Sequence, residues 1–198
     1  MIALDLFCGA GGASMGLHQA GYTVVGVDID PQPRYPFTFY QADALTFPLH
    51  DYDFVWASPI CKKFSSATRT SKTQDNWPDQ IAPIRKRLQK WGGKWCIENV
   101  PGAPLVDPMM LCGAMFGLKT YRHRLFETSF NIEAPTHPNH KAKVCKMGRP
   151  PKKGEFINPV GHFSGVEFAK KALGIDWMTR DELSQSIPPA YAKYIAGF

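Results

Sequence analysis

The sequence lacks the features that mark membrane, secreted and repeat proteins. No run of about 18 apolar residues occurs among its 198 residues, which excludes a transmembrane helix. The apolar start of the chain has no basic stretch before it, so we expect no secretory signal peptide. Its five cysteines form no Cys-x-x-Cys pair, which argues against a disulfide framework and for a reducing cytoplasm. No internal repeat is present.

Acidic residues are absent from two long stretches of a chain that is basic overall. The net charge is +6 and the pI is near 9.1. No Asp or Glu occurs in Lys62–Gln74 or in Thr136–Gly154, and the second stretch carries six basic residues. An excess of positive charge without a membrane segment favours a polyanionic partner such as nucleic acid.

Short apolar runs alternate with helical patterns along most of the chain. Hydrophobic residues make up 44% and charged residues 20%, the balance of one globular domain. Alternating strands and helices predict a doubly wound α/β fold with a mostly parallel sheet. The predicted strands are Ile2–Phe7, Thr23–Val27, Thr38–Tyr40, Phe54–Ala57 and Trp95–Ile97.

The helical patterns differ sharply from a proline-rich stretch at residues 134–160. Apolar residues recur at helical spacing from Ile81 to Trp91, with Asp79 as a possible N-cap and Gly92 as a stop. Two further helices are expected at Val166–Leu173 and Pro188–Ile195. Residues 134–160 are too short and too poor in apolar side chains for a core of their own. We therefore expect a single domain over residues 1–198 with a basic loop at 134–160.

A glycine-rich turn follows the first predicted strand. In Asp5–Gly12 a strand runs into glycines and then into a helix, which lets a ligand approach the backbone closely. The second strand ends near Asp28, and an acid at that place commonly binds ribose hydroxyls. This pair of features indicates an adenosine-containing cofactor, without distinguishing NAD from S-adenosylmethionine.

A cysteine lies just beyond another buried strand. Cys61 follows Phe54–Ala57 and should lie at the edge of the sheet where ligands bind. A cysteine is nucleophilic as its thiolate, and the neighbouring Lys62 and Lys63 are expected to favour that form. The alternative is a small buried hydrophobic residue.

The motifs together resemble the DNA cytosine carbon-5 methyltransferase family, most closely the short versions found in bacteriophage genomes. The resemblance implies a Rossmann-like methyltransferase fold and S-adenosylmethionine as cofactor. The matching motifs come in family order and span nearly the whole chain: Asp5–Gly12, Asp28, Gln41–Asp43, Ser58–Cys61, Glu98–Val100, Arg122–Arg124 and Ile187–Tyr191.

The same resemblance implies roles for individual residues. Cys61 would add to carbon-6 of cytosine, Glu98 would bind the N3 and amino edge, and Arg124 with Arg122 would position the base and orient Glu98. Asp28 would bind the ribose. The cofactor residues implied in this way are Phe7, Gly9, Ala10, Gly11, Asp28, Ile29, Asp43, Ser58 and Tyr191.

The chain also departs from the family pattern. Ile60 replaces the second proline of the catalytic S-P-P-C loop, which is expected to make the loop less rigid. Lys62 and Thr120 each stand where the family has glutamine. Only residues 134–160 occupy the place of the family's target-recognition domain, so we expect sequence specificity to be weak, or to be supplied by this loop or a partner. We also expect a monomer. The residues expected to hold DNA phosphates are Lys62, Lys63, Arg69, Lys152 and Lys153.

Three alternatives bear on function. The chain could be a decayed homologue that binds DNA without turnover, or it could perform the same chemistry on tRNA or a nucleotide. A metal site formed by His137, His140, Cys145 and His162 is the third, but its H-x2-H-x4-C spacing is not that of a strong zinc motif. We therefore expect no metal.

Overall fold

Seven strands form one sheet in the order β3-β2-β1-β4-β5-β7-β6. The computed structural model describes residues 1–198, with side chains at 1–66 and 68–198. The strands are β1 (Ile2–Leu6), β2 (Thr23–Asp28), β3 (Thr38–Gln41), β4 (Phe54–Ala57), β5 (Lys94–Asn99), β6 (Met109–Leu111) and β7 (Arg124–Thr128). The helices are α1 (Gly12–Gln19), α2 (Ser66–Ser71), α3 (Ile81–Trp91), α4 (Val166–Leu173), α5 (Arg180–Gln185) and α6 (Pro189–Ala196).

The sheet confirms the predicted α/β fold and adds two strands to it. In the order of the sheet, the strands β3, β2, β1, β4 and β5 are parallel to their neighbours. Strand β7 runs antiparallel to both β5 and β6. All five predicted strands are present. The sequence did not indicate β6 or β7, because β6 has three residues, of which one is buried, and β7 mixes charged and apolar residues.

Helix α3 shows how local sequence sets an element's limits. Its range agrees with the prediction, and it ends at Gly92, whose φ of 79° is left-handed. The N-cap position is Gln80 rather than Asp79. The Asp79 carboxylate nevertheless accepts the Ile81 N–H at 2.9 Å, so it still satisfies a free donor of the first turn.

Helices cover both faces of the sheet. On one face, Ile84 and Leu88 of α3 pack with Leu4 and Val55 of the central strands. On the other face, α1 and α6 pack over Ala3, Phe54 and Trp56. A third apolar cluster joins α4 and α5 and includes Ile157, Phe163 and Met178. Among the described residues, no helix has the length and apolar composition that crossing a membrane requires.

Residues 134–160, the basic segment, contain no helix and no strand of the sheet in the described backbone. One isolated bridge pairs Val144 with Phe156, and the Cys145 N–H donates to the Phe156 carbonyl at 2.8 Å. Arg149 and Glu155 form an ion pair at 2.7 Å within the segment. Ile157 is buried in the third cluster, so the segment packs against the domain rather than around a core of its own.

Candidate active site

The carboxyl ends of four parallel strands place candidate site residues in one row. Leu6 pairs with Val27 of β2 and Ala57 of β4, and Ala57 pairs with Ile97 of β5. The order of the chain reverses between β1 and β4, and such a switch point is where open α/β sheets bind ligands. The residues that directly follow these four in sequence are Phe7, Asp28, Ser58 and Glu98.

The glycine turn after β1 has a backbone that requires glycine. Gly9 and Gly11 have φ angles of 49° and 88°. A Cβ at Gly11 would lie 3.0 Å from the Tyr35 ring, whereas a Cβ at Gly9 would meet no atom within 4 Å. The turn therefore leaves open space beside Gly9. The Gly9 N–H donates to the Asp28 carboxylate at 2.9 Å. A backbone concavity next to a carboxylate fits an adenosine-containing cofactor. Residues further along hold the turn in place, since the Trp177 indole N–H donates to the Ala10 carbonyl at 2.8 Å.

The acids predicted to bind the cofactor lie at neighbouring strand ends. Asp28 also accepts the Asp30 N–H at 3.1 Å, which fixes its carboxylate while leaving further lone pairs for a ligand. The Ala42 N–H donates to the Asp28 carbonyl, so the chain leading to Asp43 runs beside it. Asp43 is exposed and Ile29 is 67% exposed. These positions agree with the predicted site, and the ligand contacts themselves stay predictions.

A buried acid lies beneath the glycine turn. Asp5 is 1% exposed and accepts a hydrogen bond from the Ser14 hydroxyl, which is also 2.8 Å from the Tyr35 hydroxyl. Among the described atoms, its second oxygen has no partner. Burial raises the pKa of Asp5 to about 7, and nearby Asp28 adds to the rise. No separate role for Asp5 was predicted from the sequence, although a charged residue inside an apolar strand is a detectable signal.

Hydrogen bonds hold the loop that carries Cys61. The Ser58 N–H donates to the Leu6 carbonyl at 3.1 Å, and the Asn99 amide donates to the Pro59 carbonyl at 2.9 Å. The Ile60 N–H donates to the Gln80 side chain at 3.1 Å. A proline at position 60 has no N–H and would not make this bond. A hydrogen bond thus constrains residue 60 where a ring would otherwise do so, and the lower rigidity expected of this loop stays a prediction.

The charges around Cys61 differ from the sequence-based expectation. Cys61 is exposed, but the surrounding protein still desolvates its thiol and raises its pKa, and Glu98 raises it further. Arg124 and Arg122 lower it. The neighbouring lysines contact other groups. The Lys62 ammonium lies 3.9 Å from the centre of the Trp77 ring, and Lys63 pairs with Asp75 at 3.0 Å. The cations that favour the thiolate are thus arginines distant in sequence.

Glu98 and Arg124 form a mostly buried ion pair beside this loop. Arg124 Nε lies 3.1 Å from Glu98 Oε1, and Glu98 is 5% exposed. The Ser58 hydroxyl donates to Glu98 and accepts the Trp56 indole N–H at 2.9 Å. Burial raises the pKa of Glu98 against the opposing effects of Arg124 and Ser58. The site therefore contains a carboxyl group that holds a proton more readily than a solvated one.

The Arg122 side chain is hydrogen-bonded to the C-terminal part of the chain. Its guanidinium donates to the carbonyls of Ser186 at 2.8 Å, Pro159 at 3.0 Å and Ser184 at 2.8 Å. The residue is 4% exposed, and burial with the neighbouring Arg124 lowers its pKa to about 9. Through these three bonds Arg122 anchors the segment that precedes α6. Its charge also lowers the pKa of Glu98, and its predicted role beside Glu98 stays a prediction.

Tyr191 is also placed differently from the prediction. It is 0% exposed and packs against Phe116 and Phe126, and its hydroxyl donates to the Arg122 carbonyl at 3.0 Å. A side chain enclosed in the core does not offer a surface to the cofactor. The predicted cofactor contact is therefore replaced by support of the backbone at Arg122.

The residues predicted to contact phosphates lie mostly on the surface. Lys62 and Arg69 are exposed near the loop that carries Cys61, and Lys152 and Lys153 are exposed in the basic segment. Lys63 is half-buried in its pair with Asp75. Four of the five side chains are thus accessible to a polyanion, and their contacts with DNA stay predictions.

Comparison with known proteins agrees with this geometry. The family model for the C-5 cytosine-specific DNA methylases matches residues 1–108. No curated protein matches the chain.

Solved structures extend the likeness beyond the matched residues. A protein described as a DNA modification methyltransferase encoded within a prophage (E. coli) is 14% identical, over 100% of this chain and 97% of its own, with a TM-score of 0.69. A variant of Spodoptera frugiperda DNMT2 is 11% identical over 98% of both chains, with a TM-score of 0.66. S. pombe Dnmt2 methyltransferase is 14% identical over 98% of this chain and 96% of its own, with a TM-score of 0.59. At these identities the structures show a shared fold. Because the family model covers more than half of the sequence, the chain belongs to the C-5 cytosine-specific DNA methylases, which are S-adenosylmethionine-dependent methyltransferases.

Proposed function

We propose that this enzyme methylates carbon-5 of a flipped cytosine in DNA, with Cys61 as its nucleophile. The observation that carries the proposal is the juxtaposition at the edge of the sheet. Cys61 lies on a loop fixed by hydrogen bonds, close enough to Glu98 and Arg124 for both to shift the pKa of its thiol. A nucleophile, a proton-holding carboxyl and a cation therefore face one site.

The chemistry needs activation because carbon-5 of cytosine is a poor nucleophile. The Cys61 thiolate adds to carbon-6, and the electrons of the 5,6 double bond move toward carbon-5. Bound S-adenosylmethionine supplies an electrophilic methyl group for that carbon. A solvent water then takes the carbon-5 proton, whose bonding electrons restore the double bond as the Cys61 thiolate leaves, so the enzyme is regenerated.

Glu98 stabilises charge during the addition. Since burial raises the pKa of its carboxyl, Glu98 can share a proton with the ring N3 as negative charge develops there. Arg124 keeps the carboxyl group in position through the 3.1 Å ion pair. The raised pKa of Cys61 means that the resting thiol is mostly protonated, and the charges of Arg124 and Arg122 favour its thiolate.

The cofactor residues proposed here come from the edge formed by β1 to β4. The Phe7–Gly11 turn would lie against the cofactor, Asp28 and Ile29 would contact the ribose, and Asp43 the adenine. Ser58 would reach the cofactor from β4. These assignments rest on the open space beside Gly9 and on the strand ends that bring the acids together.

We further propose how the enzyme holds its substrate. One catalytic domain over residues 1–198 acts as a monomer, and the basic segment takes the place of a recognition domain. The phosphates would lie against Lys62, Lys63, Arg69, Lys152 and Lys153. Phosphate contacts position a duplex without reading bases, so intrinsic specificity is weak and a partner could add to it. The five free cysteines support a cytoplasmic location.

Mechanism-based trapping tests the nucleophile. DNA containing 5-fluorocytosine, incubated with enzyme and S-adenosylmethionine, should give a covalent adduct mapped to Cys61, because fluorine cannot leave as a proton does. Cys61→Ala should give no adduct and bind cofactor as the wild type does. Cys145→Ala is the matched control and should be trapped normally. An adduct at another residue, or none with the wild type, contradicts the proposal. RNA carrying the same base, run in parallel, tests the choice of DNA.

A further inference from the structure

We propose that the basic segment carries a structural Zn²⁺ site that it shares with β6 and β7. The proposal is independent of the methyl-transfer chemistry and of the cofactor site. Its ligands are Cys112, His123, His137 and His140, whose donor atoms all lie within 4.8 Å of one another.

The spacing of the donor atoms fits tetrahedral zinc. Cys112 Sγ lies 3.4 Å from His140 Nε2, and His123 Nε2 lies 3.2 Å from His137 Nε2. Bonds of about 2.05 Å to nitrogen and about 2.3 Å to sulfur put tetrahedral N···N pairs at about 3.3 Å and S···N pairs at about 3.6 Å. Both measured distances are within about 0.2 Å of these edges. Two separate hydrogen bonds, Cys112–His140 and His123–His137, would not by themselves require all four donor atoms to lie this close together.

The ligand types also favour zinc. One thiolate and three imidazoles are borderline ligands that suit Zn²⁺ rather than Mg²⁺ or Ca²⁺. Four protein ligands close the coordination sphere, which is the arrangement of structural rather than catalytic sites. The sequence predicts no metal, and the alternative considered there grouped His137 and His140 with Cys145 and His162. The fold instead completes the set with Cys112 and His123, which precede the basic segment.

The neighbourhood of the site orients its ligands. The His140 ring stacks on the Tyr121 ring, with centroids 3.6 Å apart. The Tyr121 hydroxyl donates to the Ala142 carbonyl at 2.9 Å and accepts the Ala142 N–H at 3.0 Å. The segment containing His140 is therefore held against the chain before β7, as expected for a site whose ligands are positioned by surrounding contacts.

The site would connect three parts of the chain. Cys112 directly follows β6, and His123 directly precedes β7. His137 and His140 belong to the basic segment, in an H-x2-H spacing. A metal ion at this point would fasten the basic segment to the strand that begins with Arg124, the partner of Glu98. Zinc would thus fix the distance between the basic segment and the Glu98–Arg124 pair.

Metal content and cobalt spectroscopy test the proposal on the whole protein. Purified wild type should contain about one zinc per chain by mass spectrometry of its metals. His137→Ala/His140→Ala should lose it, with zinc affinity lowered more than about a hundredfold, since even losses outside the ligand set cost ten- to a hundredfold. Both ligands are exposed, so the variant should fold, which circular dichroism checks. Cys145→Ser/His162→Ala, which alters the other Cys and His considered, should keep the metal.

Cobalt gives a readout that does not depend on the histidine variants. Metal-free wild type titrated with Co²⁺ should show ligand-field bands of tetrahedral intensity and one thiolate-to-cobalt charge-transfer band. Cys112→Ser should remove the charge-transfer band and weaken binding. A wild type that binds neither metal overturns the proposal. So does equal zinc content in the double histidine variant, or a charge-transfer band that survives Cys112→Ser.

Discussion

The edge of the sheet and the basic segment are built in opposite ways. At the edge, each loop continues a strand, and backbone groups such as the Ser58 N–H and the Pro59 carbonyl are hydrogen-bonded to neighbouring strands or their loops. The basic segment has one isolated bridge of its own, between Val144 and Phe156, and the Arg149–Glu155 pair also lies within it. Its contacts with the rest of the domain include the Tyr121 hydroxyl and the hydrogen bond from the Ile157 N–H to the Lys119 carbonyl. The edge therefore takes its order from the sheet, whereas the basic segment is held by contacts outside the sheet.

This contrast has a consequence for perturbation. Changes in the basic segment should alter how DNA is held while cofactor affinity stays constant. Changes beneath the edge should alter stability and chemistry, with little effect on the salt dependence of DNA binding. The following variants test whether the two regions separate in this way.

The largest expected effect comes from the buried acid under the glycine turn. Because the pKa of Asp5 is raised from 3.8 to about 7, folded protein holds a proton that unfolded protein releases between these values. Its contribution is fully present below pH 3.8 and is lost as pH rises toward about 7, by roughly 4 kcal/mol in total. Urea unfolding at several pH values measures this. Asp5→Asn should flatten the dependence, whereas exposed Asp30→Asn should not. Equal slopes in wild type and Asp5→Asn would contradict the assignment.

Glu98→Gln should have the next largest effect. It keeps the shape of the side chain but cannot share a carboxyl proton with N3, so turnover should fall on the order of a hundredfold or more. Single-turnover methylation measures the chemical step, and calorimetry should show unchanged cofactor binding. The control is Glu167→Gln, an exposed acid paired with Lys170. A loss below about threefold would make Glu98 structural.

Substitutions that remove the hydrogen bond between Ile60 and Gln80 test whether it holds the loop that carries Cys61. Gln80→Ala removes its acceptor and should cost about 1–3 kcal/mol of stability, with a slower rate of adduct formation. Ile60→Pro removes the donor. In the Gln80→Ala background Ile60→Pro should cost less than in the wild type, because the bond is already lost. Strictly additive effects in this double-mutant cycle would show that the two residues do not interact.

Of the changes described, neutralising the basic segment should have the smallest effect, measured as the affinity for any single DNA sequence. Lys152→Gln/Lys153→Gln should weaken binding to all duplexes about equally and reduce the salt slope by up to about two units. Filter binding at several salt concentrations measures this, with Lys170→Gln/Lys171→Gln as the matched control. An unchanged slope would leave the segment a solvated surface. A loss confined to one sequence would mean that it reads bases.

Much of the fold was predictable because buried parallel strands appear as apolar runs. The strands β1 to β5 gave such runs, and the site followed because their carboxyl ends share one edge of the sheet. The strands β6 and β7 were missed, as was α5, in which Leu183 is the one buried residue and gives no periodicity. Short elements of this kind depend on tertiary packing rather than on local pattern.

The same cause explains the errors within the site. Tyr191 was assigned to the cofactor from its motif, but its buried side chain contacts the Arg122 carbonyl instead. His137 and His140 were grouped with Cys145 and His162, which follow them in the chain. Their actual neighbours, Cys112 and His123, flank β6 and β7, which no sequence pattern indicated. Long-range neighbours cannot be read without the strands that bring them together.

Because α1 packs against α6, an early part of the chain can finish folding only after a late part has been translated. A Cβ at Gly12 would lie 2.5 Å from the Ile187 carbonyl oxygen, and one at Gly16 would lie 2.2 Å from that of Pro189, so the two helices touch backbone to backbone. The helix that follows the glycine turn is translated early, and its packing partner is translated after every other helix. Until residues 187–196 emerge from the ribosome, Leu17 lacks part of its cover. Nascent chains stalled before residue 187 should therefore bind no cofactor, although every residue of the glycine turn has already been made.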